Sequence, residues 1–299
     1  MKRSSIGPFL DLTLAMALVG SSVVAGKIIT REFPVFLASG LRFGLAMPVL
    51  ILLLLAREKR LPALAWRDYR VLFLQALTGV FLFSLFLLYG LRYTTSSESG
   101  IITSTTPGVT ALLAALILGE RLNRWKWAGV GLCVAGIAAL QLGSGGEGGA
   151  EGARGSAHLF GTVLILGAVV CEGLFTILGK VMTAKLSPLA VSTMVVAFGF
   201  ALFLPLAVYE ARSFSFSQAS MAGWLSIVHY ALAVTVLGFV LWYRGVSKVS
   251  GATAAVFTGV LPVSALILSY LVLHEELRAA HGLGMLLIFG GILCATRQR

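Results

Sequence analysis

Over residues 9–29 apolar side chains follow one another without an amphipathic stripe. The same texture returns at 35–56, 69–90, 96–118, 125–142, 158–180, 189–209, 221–243, 249–273 and 281–296, with polar and charged residues gathered in the gaps. Runs of about 18 or more apolar residues are long enough to cross a bilayer as helices. The pattern predicts an all-α integral membrane protein with ten transmembrane helices. Lys2 and Arg3 precede the first run, but that run is too long for the apolar core of a signal peptide and is read as a mature helix.

Composition agrees. Hydrophobic residues make up 58% of the 299 and charged residues only 12%, against roughly a quarter charged in soluble domains. With ten spans, sixteen of the 23 Lys and Arg fall on the side carrying both termini, six on the other, and Arg42 within a span. Positive-inside bias then places both termini in the cytoplasm. The net charge of +11 would suggest nucleic acid in a soluble protein; here it reads as loop asymmetry, and no nucleic-acid partner is expected. Cys133, Cys171 and Cys294 lie inside apolar runs, where cysteine behaves as a small hydrophobe, so no disulfide is expected. Trp66, Tyr69, Trp125, Trp127 and Trp224 lie near span ends, as interfacial anchors do, and Trp242 and Tyr243 read the same way.

One gap has its own character. Residues 143–156, GSGGEGGAEGARGS, are half glycine and read as a flexible linker on the exterior. It divides the chain into 1–142, a linker over 143–157, and 158–299. These halves echo each other. SGIITSTTPGVTALLAALILGERL (99–122) overlays AAVFTGVLPVSALILSYLVLHEEL (254–277) at an offset of 155, matching Thr103 to Thr258, Pro107 to Pro262, Glu120 to Glu275 and four leucines. Gly90/Gly245, Gly129/Gly284 and Gly136/Gly291 keep that offset, and Gly26-Lys27 answers Gly179-Lys180. Five spans per copy force the second to enter the membrane from the opposite face. The expectation is two inverted five-helix repeats, the build of secondary transporters, with a substrate site near the midplane where the repeats meet.

Proline donates no backbone hydrogen bond and clashes with the carbonyl four residues earlier. Pro107 frees the carbonyl of Thr103, and Pro262 that of Thr258. An orphan carbonyl in lipid must face protein, water or substrate. Spans 4 and 9 are therefore expected to kink around a shared cavity, with Pro107 and Pro262 as gating kinks and Thr103 and Thr258 contacting substrate; the alternative is that the threonines patch the kinks with their own hydroxyls.

GLRYTTSSESGIITSTTPGVTALLAALILGERLNRWKWAGVGLCVAGI resembles the EamA repeat of the drug/metabolite transporter superfamily, and YRGVSKVSGATAAVFTGVLPVSALILSYLVLHEELRAAHGLGMLLIFGGI is similar to its C-terminal partner. The resemblance covers essentially the whole chain. It implies a ten-helix carrier of a bacterial inner membrane, exporting amino acids, other metabolites or cationic drugs, with the aromatic amino-acid exporters as the nearest branch. The second copy departs from the pattern: His274-Glu275-Glu276 stands where the first has Gly119-Glu120-Arg121.

Ionisable groups within spans are functional candidates, since each costs at least ~2.5 kcal/mol at a helix centre. Glu172, with Thr176 one turn on, suits a substrate ammonium or a proton; the alternative is a neutral carboxyl bonded to a neighbouring helix. Arg42 suits a carboxylate, or snorkels outward. His229 is a candidate for coupling or for plain structure. Ser22, beside Ser21, either bonds substrate or lets helices approach closely. Phe83, Phe86 and Tyr89 share a helical face, as a pocket wall or a packing stripe. Glu120 and Glu275 read as loop ties at the two mouths.

The expected function is export of small zwitterions, amino acids with apolar or aromatic side chains among them, by alternating access. The alternative is an exporter of cationic aromatic drugs with Glu172 as the cation's partner. A channel would also fit kinked helices around a polar cavity. An enzyme is not expected, because His158, His229, His274 and His281 are scattered and the serine-rich stretches lack an acid or base. No cofactor or metal is expected; the partners are a small-molecule substrate and the lipid bilayer, and a monomer suffices.

Overall fold

In lipid a backbone amide finds no water, so each span must satisfy its own ladder as a helix. The computed structural model describes residues 6–59, 64–90, 93, 102–143, 156–273 and 279–296, and among them helices and turns account for the regular structure, with no strand. In chain order these are α1 (Gly7–Glu32), α2 (Val35–Glu58), α3 (Trp66–Ala76), a π-helical stretch Leu77–Leu82, α4 (Phe83–Gly90), α5 (Thr106–Leu118) and α6 (Arg124–Gly143). There follow α7 (Ser156–Thr183), α8 (Pro188–Ala211), α9 (Met221–His229), a second π-helical stretch Tyr230–Gly238, α10 (Phe239–Val246), α11 (Gly251–Phe257), α12 (Val260–Leu273) and α13 (Ala279–Thr296). Among the described residues seven helical runs are long and apolar enough to cross a membrane, and Thr106–Leu118 and Gly282–Thr296 are apolar but shorter.

Local signals set the boundaries. Ser187, Ser220 and Ser250 each accept a backbone N–H from three residues on, capping α8, α9 and α11. Gly119, at φ 64°, ends α5 in the left-handed conformation that glycine adopts freely. Most of the linker expected over 143–157 lies outside the described residues; its ends are helical, Gly143 closing α6 and Ser156 and Ala157 opening α7.

The chain forms two compact units, each drawing on both halves of the sequence. The first comprises the described parts of Met1–Leu77, Gly179–Lys248 and Ser264–His274; the second, those of Thr78–Leu178, Val249–Val263 and Glu275–Arg299. In the first, α2 packs antiparallel on α8 and is tied at both ends. Glu58, ending α2, accepts the hydroxyl of Ser187 before α8. Glu210, near the end of α8, accepts the Leu37 N–H at the start of α2 at 2.7 Å. An acid at the end of its own helix is unfavourably placed, but each lies at the positive N-terminus of its neighbour. Glu32, closing α1, does the same for α9 through Ser220 N–H and Oγ, at 2.8 and 2.7 Å.

Trp242 and Tyr243, expected as interfacial anchors, are buried in this unit. The Tyr243 hydroxyl accepts from Gln75 Nε2 at 2.9 Å, and Gly179 gives both side chains room: a Cβ there would come within 2.6 Å of the Tyr243 ring. Trp224 is clasped rather than splayed, edge-on to Phe33 at 5.2 Å and stacked on Phe216 at 6.3 Å.

In the second unit α6 and α13 pack antiparallel through glycine. A Cβ at Gly129 would lie 2.8 Å from the Gly291 carbonyl, and one at Gly136 2.8 Å from that of Gly284. Small residues allow this approach where no water drives helices together.

Candidate functional site

The second unit holds both proline breaks. Ahead of Pro107, residues 104 and 105 leave the helix before α5 begins. Thr105 Oγ1 donates to the Ile102 carbonyl at 2.6 Å and Thr106 Oγ1 to the Thr103 carbonyl at 2.8 Å. Ahead of Pro262, Thr258 and Gly259 interrupt the path from α11 to α12. There Thr258 Oγ1 donates to the Ala255 carbonyl at 2.6 Å, and the Leu261 N–H to the Thr258 carbonyl at 3.1 Å. The two carbonyls freed by proline thus find local donors, one from a neighbouring threonine and one from the backbone.

Two further contacts fix the second break. Cys133 Sγ donates to the Val256 carbonyl at 3.3 Å, and a Cβ at Gly259 would come within 2.6 Å of that sulfur. Glu120, past the end of α5, accepts the Gly251 and Ala252 N–H groups at 2.7 and 3.3 Å and so caps α11. Glu275 lies outside the described residues.

Glu172 comes from α7 to the first break. Its Oε2 lies 3.3 Å from Thr106 Oγ1, the hydroxyl that also meets the Thr103 carbonyl. Thr176, one turn on, is buried. Thr110 Oγ1 is buried and among the described residues has no hydrogen-bond partner; a Cβ at Gly173, beside Glu172, would come 3.2 Å from it. Thr103, Glu172 and the break before Pro107 are therefore brought together. Thr106 and Thr110 were not singled out from sequence, although positions 103, 106 and 110 form one helical stripe. Phe86 packs on Gly167 of α7, whose Cβ would meet its ring at 2.9 Å. Phe83 is half-buried and Tyr89 exposed.

The first unit holds the other candidates. Ser22 Oγ and Ser21 Oγ donate to the carbonyls of Val19 and Leu18, each at 2.6 Å. Ser21 Oγ also lies 2.9 Å from His229 Nε2. The pair lines a cleft of about 320 Å³ with Val24, Ile28, Leu225 and Leu268. Arg42 lies with its Cζ 4.1 Å from the Phe43 ring centre and 4.4 Å from that of Tyr230. Sequence reasoning passed over Asp11, buried in α1, which accepts Nε and Nη2 of Arg244 at 2.8 and 2.5 Å. Among the described residues no three His, Cys, Asp or Glu gather as metal ligands do.

Comparison with known proteins bears on this arrangement. The sequence model of the EamA-like transporter family matches residues 9–141 and 159–297. The uncharacterized transporter YetK of Bacillus subtilis is 47% identical over 298 residues, 99% of this chain and 89% of that one. A protein of Streptantibioticus cattleyicolor named "Probable terminal-alkyne amino-acid exporter" is 25% identical, over 78% of this chain and 74% of that one. A solved crystal structure shares the fold with a TM-score of 0.80 over 97% of this chain and 98% of the other, at 21% identity. With the apolar helical runs and the family match over both halves, this chain belongs to the EamA-like transporter family and is a multi-pass membrane transporter.

Proposed function

We propose that the protein exports amino acids, including those with apolar or aromatic side chains, across the bacterial inner membrane by alternating access. Its ten spans are arranged as two inverted five-helix repeats, with both termini in the cytoplasm. The observation that carries the reading is the cluster at the first break: a carboxylate inside a span, weakly held by one hydroxyl, beside an interrupted helix. Interrupted helices facing ionisable groups are where secondary carriers bind their cargo. Glu172 takes the substrate ammonium, and the threonines of α5 line the approach. Thr258, Thr176, Phe83, Phe86 and Tyr89 contribute further surface, and Pro107 and Pro262 hold the breaks that gate it.

Reciprocal contacts support the inverted arrangement. Gly129 meets Gly291 and Gly136 meets Gly284, while 129 corresponds to 284 and 136 to 291 at the offset of 155. Such exchange is the mark of a two-fold relation. Gly90 packs on Ile165 and its counterpart Gly245 on Leu12. The π-helical stretches Leu77–Leu82 and Tyr230–Gly238 also fall at matching places. The relative named as an amino-acid exporter supports the cargo class.

The test is efflux from proteoliposomes preloaded with labelled phenylalanine, leucine or a cationic aromatic dye. Wild type is expected to release the amino acids, and Glu172→Gln to slow that release at least tenfold. Release of the dye alone would favour the drug-exporter reading; Glu172→Gln efflux equal to wild type would remove Glu172 from the site.

A further inference from the structure

We propose that Arg42 binds the carboxylate of the transported solute through the in-plane edge of its guanidinium, a role that rests on the amino-acid reading above. Arg42 stands in the apolar run SGLRFGLAM of α2. The rings of Phe43 and Tyr230 meet its Cζ at 4.1 and 4.4 Å. An aromatic face attracts a guanidinium but accepts none of its five coplanar N–H groups. Nε is buried and has no hydrogen-bond partner among the described residues. The ion pairs found there join Lys185 to Asp68 and Arg244 to Asp11, and none reaches Arg42.

A guanidinium packed against two rings inside a span, its Nε unanswered, keeps a donor for a planar monoanion. A polyanion would need further cations beside it. Tyr230 is itself held in place. It opens the second π-helical stretch, and Thr235 Oγ1 donates to its carbonyl at 3.0 Å, a five-residue reach that π winding provides. Tyr230 thus stands at the start of the π winding with its ring 4.4 Å from the Arg42 Cζ.

The experiment compares phenylalanine with phenethylamine, the same molecule without its carboxylate, in phosphatidylcholine proteoliposomes free of anionic lipid. Arg42→Gln is expected to raise half-saturation for phenylalanine at least tenfold and to leave phenethylamine within twofold. Arg42→Lys, which keeps the charge but loses the paired donors, should fall between. Equal losses for both solutes in both variants would mark Arg42 as structural, and an effect seen only after adding phosphatidylglycerol would assign it to a lipid headgroup. Either result overturns the proposal. A second arm is independent of transport: benzoate should raise the thermal midpoint of the purified wild type and not that of Arg42→Gln. No benzoate shift in wild type sinks the carboxylate role. A benzoate shift without phenylalanine transport supports the role and defeats the amino-acid reading instead.

Discussion

Thr106 has one hydroxyl proton and two acceptors in reach, the Thr103 carbonyl at 2.8 Å and Glu172 Oε2 at 3.3 Å. The two acceptors compete for that one proton, so Glu172 is only loosely held. Asp11 is in the opposite condition, buried and gripped by Arg244 through two bonds. Replacing it with Asn should lower stability by about 1–3 kcal/mol, because charge-assisted bonds are lost from a buried group; thermal unfolding in detergent measures this, and an unchanged midpoint would contradict it. Glu172 and Arg42 stand out as candidates because an ionisable residue is conspicuous in an apolar run. Asp11 does not, since its partner is 233 residues away and nothing local announces the pairing. Trp242 and Tyr243 misled for a related reason: span-end aromatics suggest an interface, and only the space left by Gly179 shows that Tyr243 is instead covered by protein.

Among the elements, the two breaks were readable from Pro107 and Pro262, because a missing N–H has a fixed structural consequence. The chain leaves the helix two to four residues earlier than the prolines themselves, where threonines supply competing bonds. The π-helical stretches were not readable: LTGVFL and YALAVTVLG contain no proline and look like any apolar helix. The α6–α13 contact gives a sharp contrast. Gly136→Val places side-chain atoms against the backbone of α13 and should cost roughly 1–3 kcal/mol or more, whereas Gly131, with nothing within 4 Å of its Cβ position, should tolerate valine with little change. Equal midpoints for the two variants would refute the packing. Glu120→Ala, which removes the acceptors of the Gly251 and Ala252 N–H groups while Ser250 still caps α11, should cost about 0.5–2 kcal/mol; its midpoint should fall while that of Gly131→Val holds.

For the whole molecule, apolar runs and the repeat offset carried most of what could be read, since membrane helices are dictated by length and composition. Loop charge is the basis for placing both termini in the cytoplasm. Epitope tags at the two ends should be reached by antibody only after the membrane is permeabilised from the cytoplasmic side, and tags on opposite faces would undo the inverted repeat. The account stands or falls on whether the protein is a carrier of amino acids. The most direct measurement is counterflow, in which proteoliposomes filled with excess unlabelled phenylalanine are diluted into a trace of the labelled form. The account predicts transient, saturable accumulation of label above the outside concentration, abolished by Glu172→Gln. Label that only equilibrates, together with measurable ionic conductance, would contradict it.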